Sequence, residues 1–128
     1  MVKKHAISVT TNSSGAFTGY TPVSSGYVRA ISYVPHGATP LDTNADIVVS
    51  GNTSSIPVLT QANIGTAART WHPRAATHAV ADGAAALYAA GGTAVNTDVP
   101  VADESVKLVV ANGGDTLSGT FYVYVDGV

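Results

Sequence analysis

Short runs in which apolar and polar residues alternate are broken again and again by clusters of Gly, Pro, Asn and Ser. His5 to Thr11 puts His5, Ile7 and Val9 on one side and Ala6, Ser8 and Thr10 on the other, the period-two pattern of a half-buried strand. Asn12-Ser13-Ser14-Gly15 ends it, and Ala16 to Tyr20 reads as a short second strand. Ser24-Ser25-Gly26 reads as a turn, followed by the clearest strand of the first half, Tyr27 to Val34, stopped by Pro35-His36-Gly37. Ala45 to Ser50 and Ile56 to Leu59 read as two strands paired across Gly51-Asn52, with Pro57 requiring an edge position or a bulge. Ala67 to Trp71 is a further short strand, and Val99 and Val101 lead toward the end of the chain.

That end carries the strongest local signal. Two runs rich in Val, Phe and Tyr flank Asn112-Gly113-Gly114-Asp115, which predicts a β-hairpin closed by a tight turn, because Gly and Asn supply the positive φ such turns need. Ala84 to Ala90 fits a short strand or a turn or two of helix, and its strand-forming surroundings favour the strand. Turn signals spaced roughly 8–12 residues apart describe an all-β, antiparallel β-sandwich of jelly-roll type with eight to ten short strands. A parallel sheet would need long helical crossovers. Residues 15–128 make one domain, and residues 1–14 serve either as its first strand or as an N-terminal arm.

Composition narrows the function. Only 11% of residues are charged, against the usual ~25%, so the surface is mild and suited to packing against neighbours. Six Lys and Arg face eight Asp and Glu without any basic stripe, which argues against direct nucleic-acid binding. The chain has no Cys, which excludes thiolate chemistry and disulfides. Met1 to Ser8 lacks the apolar core of a signal peptide, and no run is long enough for a membrane-spanning helix, so synthesis and initial residence in the cytoplasm are expected.

Candidate chemistry is sparse. Asp42-Thr43-Asn44-Ala45-Asp46 opens like a calcium loop, but Ile47 stands where the Gly belongs and Thr53 where the bidentate Glu belongs, leaving an Asx turn into a strand. His5, His36, His72 and His78 show no i, i+4 pair, and no Gly-x-Ser-x-Gly elbow or phosphate-cradling Gly motif occurs. A non-catalytic protein without metal or cofactor is the expectation. Contact-forming residues offer more. Tyr122 and Tyr124 share one face of the last strand, opposite Phe121, Val123 and Val125; they are either covered by neighbouring segments or exposed to a partner. Trp71 and Arg74 form the other concentration, with Trp71 either core or interface anchor. Lys3, Lys4 and His5 lie in the segment that an arm would use to extend a neighbour's sheet.

Several segments together, Gly26 to Val34, Leu41 to Ser50, Trp71 to Arg74, Val99 to Glu104, Val106 to Gly114 and Gly119 to Val125, resemble the capsid decoration, or cement, proteins of tailed-phage heads. The resemblance spans about residues 26–126 and rests on strand and turn signatures. It implies a β-sandwich module that binds the major capsid protein on the outside of the expanded shell. Such modules stabilise the shell against the pressure of packaged DNA, commonly as dimers or trimers. Alternative expectations are another virion part, such as a head-fibre base, neck or tail component, and a carbohydrate-binding sandwich with Trp71 and Tyr27 or Tyr33 as its stacking platform.

Overall fold

The alternating runs resolve into two antiparallel sheets whose apolar faces meet, because each strand buries one side and leaves the other to solvent. The computed structural model describes residues 1–78, 84, 87, 92 and 96–127. The larger sheet runs β1 (Val2–Thr10), β11 (Ser118–Gly127), β3 (Ser24–Pro35) and β6 (Arg69–Trp71), with β9 (Val99–Glu104) paired to the first part of β3. The smaller sheet runs β2 (Phe17–Tyr20), β10 (Val106–Ala111), β4 (Asp46–Gly51) and β5 (Pro57–Gln61). β7 (Ala75–Ala76) and β8 (Asn96–Thr97) pair as a separate ribbon. This is the expected all-β, sandwich-like fold, with eleven strands among the described residues rather than eight to ten. The stretch 84–90, apart from residues 84 and 87, lies outside the described residues.

Ile7, Val9, Ile31, Phe121 and Val123 of the larger sheet and Ile47, Val49, Leu108 and Val110 of the smaller one are buried in a single core. Tyr33 and Phe121 stack at its centre, with ring centroids 4.9 Å apart and planes 25° from parallel. The Tyr33 hydroxyl accepts the Leu41 amide at 3.1 Å, which ties the long β3–β4 connection to the core. Burial lifts the Tyr33 phenol above its ordinary pKa, and the Leu41 bond partly offsets this.

The terminal hairpin does not form. β10 belongs to the smaller sheet, between β2 and β4, whereas β11 belongs to the larger one, between β1 and β3. Residues 112–117 therefore arch from one sheet to the other. Asn112, Gly114 and Thr116 all have positive φ, so the turn residues bend the chain as expected, but toward the opposite sheet. Long-range bonds hold the arch: Gly113 donates to the Gly15 carbonyl at 2.9 Å and accepts the Asp42 amide at 3.0 Å. The Thr11 hydroxyl donates to the Gly114 carbonyl at 2.6 Å and accepts the Leu117 amide at 2.9 Å. These partners are remote in sequence, which is why the local signal favoured a hairpin.

Two smaller differences have similar causes. Ser24-Ser25-Gly26 is not a turn but the start of β3, where the pairing with β9 shifts register between Ser24 and Gly26. Gly26 takes φ +144°, and a Cβ there would collide with the Asp126 carbonyl oxygen. Pro57 satisfies both of its expected conditions, since β5 is an edge strand and its pairing shifts opposite Pro57.

Glu104 at the end of β9 is a buried carboxylate, accepting the Thr53 and Ser54 amides at 2.9 and 3.0 Å and so fastening the β4–β5 turn. The Ser54 amide and hydroxyl, followed by the Thr53 amide, hold its carboxyl below the ordinary value. A folded-state pKa depressed in this way adds stability that is present above the unfolded value and lost as pH falls through the folded one. Thermal melts of the parent protein should therefore weaken below about pH 4.5. In Glu104→Gln the midpoint should be lower at neutral pH and fall less steeply on acidification. An unchanged slope would show that the Glu104 bonds do not contribute to acid sensitivity.

Candidate contact face

The register across the larger sheet decides which side chains share its outer side, because directly paired residues point the same way. Lys4 pairs with Tyr124, and Tyr124 with Ala30; Ala6 pairs with Tyr122, and Tyr122 with Ser32. Ser8, Thr120 and Val34 continue the face in the next row. Since Phe121, Val123 and Val125 fill the core, both tyrosines must lie outside it, half-buried among small neighbours. Lys4 Nζ lies 4.7 Å from the centroid of the Tyr122 ring. This cation–π contact orients the ring at an exposed site.

One end of the face is fixed by a chain of ion pairs. Arg29 contacts Asp98 at 2.8 Å and Asp126 at 2.9 Å, and Arg74 contacts Asp98 at 3.2 Å. Arg74 also donates to the Arg29 carbonyl at 3.2 Å. The network joins β3, β11 and the segments flanking β7 and β8. The hydrogen bond from Arg29 keeps the Asp126 carboxyl below its ordinary pKa, while Asp126 raises that of Arg29. Arg29 projects toward Asp126 at a bulge, where the β3–β11 register shifts between Tyr124 and Val125. Neither Arg29, Asp98 nor Asp126 stands out in the sequence, because their partners are brought together only by strand order.

The other candidates divide between places. Arg74 joins the network just described. Trp71 is only 8% exposed and belongs to the core, with Arg69 lying 5.0 Å over its ring, so it does not project as an interface anchor. Lys3 and His5 occupy the opposite side of β1 from Lys4, paired to the inward-facing Val125 and Val123. With Trp71 in the core and Tyr33 at 0% exposure, the stacking platform imagined for a sugar has lost two of its rings; Tyr27 alone is open, at 50%.

The Asp42 to Asp46 segment forms the expected Asx turn, in which the Asp42 carboxylate accepts the Asn44 amide at 2.9 Å. Asp46 starts β4 and accepts from the Asn63 amide and the Asn112 side chain. Those bonds, Asn112 foremost, hold its carboxyl below the ordinary range. Among the described residues, no group of three or more His, Asp or Glu side chains converges as a metal site would require. Nor is any helix among them long and apolar enough to cross a membrane.

No protein-family model matches the chain, and no curated protein matches it. A solved structure described as the crystal structure of FLHE is similar in outline, at 13% identity and a TM-score of 0.44, over 98% of each chain.

Proposed function

We propose that this chain is a non-catalytic virion decoration module, which docks on the major capsid protein at the outside of a tailed-phage shell. The observation that carries the reading is the outer face of the larger sheet. Tyr122 and Tyr124 stand there among Ala6, Ala30 and Ser32, with Lys4 at one side and the Arg29 network at one end. Tyr is favoured in contact surfaces because its ring combines apolar area with a polar tip at low entropic cost. Few charges on the surrounding face need be desolvated on docking. β1, at the sheet edge, offers a second route, since its unpaired side can receive a strand from a neighbouring copy. Lys3 and Lys4 on that strand limit indiscriminate pairing. A shell presents many identical sites, so a modest single contact is multiplied once subunits also touch one another as dimers or trimers.

The direct test is a titration of purified protein against expanded capsids that lack it, read by sedimentation. Saturation at a fixed ratio to the capsid lattice, with delayed heat rupture of the shells, is the expected result. Binding in only a few copies would assign the protein to a vertex, neck or tail, and absence of binding would end the capsid reading.

A further inference from the structure

A second feature lies on the opposite side of β1. Lys3 and His5 continue the inward row of Ile7 and Val9, but at the end where the sandwich opens. There a cavity of about 110 Å³ is lined by Lys3, His5, Val23, Ser24, Ser25 and Val125, among others. It has room for a few waters or one small oxyanion. Three buried side-chain polar atoms among the described residues have no hydrogen-bond partner, and two of them, His5 Nε2 and Ser24 Oγ, belong to residues lining this cavity. Buried polar groups are ordinarily paired, so two orphans around one hollow mark a missing partner. Ser25 Oγ accepts the Asp103 amide at 2.9 Å, which leaves its hydroxyl proton free to turn inward.

We propose that this cavity binds a small oxyanion, a carboxylate or a phosphate group. The available groups are an ammonium, an imidazole and two hydroxyls, each able to donate, and no carboxylate is among the lining residues. A carboxylate or phosphate can accept from all of them at once, and charge-assisted bonds of this kind are the strong ones. The ligand satisfies the ring nitrogen and Ser24 hydroxyl together, with Lys3 supplying the compensating charge. This site is independent of the capsid reading and lies on the other side of the strand from the tyrosine face.

The test is an NMR titration of the full chain with sodium phosphate at constant ionic strength, following the His5 ring nitrogens and the Ser24 amide. Saturable shifts in the millimolar range are expected, with no matching response to chloride. Lys3→Met and Ser24→Ala should each weaken binding by about tenfold, while Lys107→Met on the other sheet leaves it unchanged. Retained amide spectra establish that the variants are folded. A parallel titration with sodium acetate separates the sources: tighter acetate binding points to a partner's carboxylate, tighter phosphate binding to a phosphate group. Shifts that do not saturate, that chloride reproduces, or that survive both cavity substitutions would overturn the proposal.

Discussion

Phe121→Ala is expected to remove about 3–5 kcal/mol of folding stability, a large share of the roughly 5–15 kcal/mol available to an ordinary domain. The side chain is wholly buried and stacked on Tyr33. Its loss opens a cavity between the sheets and deprives Tyr33 of the ring that fixes it. Tyr33 in turn accepts the Leu41 amide, so the damage should spread to the β3–β4 connection. Urea denaturation gives the measurement, and the adjacent position gives the control. Tyr122→Ala, one residue along on the outer face, should cost less than about 1 kcal/mol, since its ring is only half-buried and its neighbours are small. Similar losses at 121 and 122 would mean that β11 does not separate a core face from an outer one.

The converse contrast is expected for docking. With the outer face as the contact surface, Tyr122→Ala combined with Tyr124→Ala should weaken capsid binding by about a hundredfold or more. Buried aromatic anchors are commonly worth about 2 kcal/mol each, and the loss is repeated at every subunit of an avid array. The melting temperature of the free protein should change little. Sedimentation with capsids, together with a melt of the same preparation, separates lost contact from lost fold. Undiminished binding by this folded double variant would remove the tyrosine face from the proposal and direct attention to the β1 edge.

How much of this could be read beforehand depended on the range of the interaction. The alternation in residues 5–11, 27–34 and 45–50 located strands because burial on one side is written directly into consecutive residues. The Asx turn at Asp42 and the edge position of Pro57 were legible for the same reason, since each is a local backbone requirement. The terminal hairpin failed because positive φ at Asn112 and Gly114 specifies a sharp bend but not the sheet in which the next strand lands. That choice rests on Gly15, Asp42 and Thr11, all far away in sequence. The tyrosine face was recognised as a face, yet its setting depended on knowing that β1 and β3 flank β11. Trp71 was ambiguous for want of its neighbours, and the Arg29–Asp98–Arg74 chain left no sequence signal because its members belong to separate strands and loops. In the sequence His5 belongs only to a candidate arm, because the hollow beside it is formed with Ser24 and Val125, which are remote along the chain.

The position of β11 between β1 and β3 also sets an order of events during synthesis. The first strand of the larger sheet has no partner until residues 118–126 leave the ribosome, because all nine of its residues pair there. Until then β1 has no strand beside it and β3 can pair only with β6 and β9, so a chain cut short before the last strand lacks the link that joins β1 to the rest of the larger sheet. A chain truncated before Ser118 is therefore expected to leave β1 unpaired and the outer tyrosine face unbuilt. Under the proposed capsid role this would act as a proofreading step, since copies lacking β11 would not present the assembled tyrosine face to a lattice.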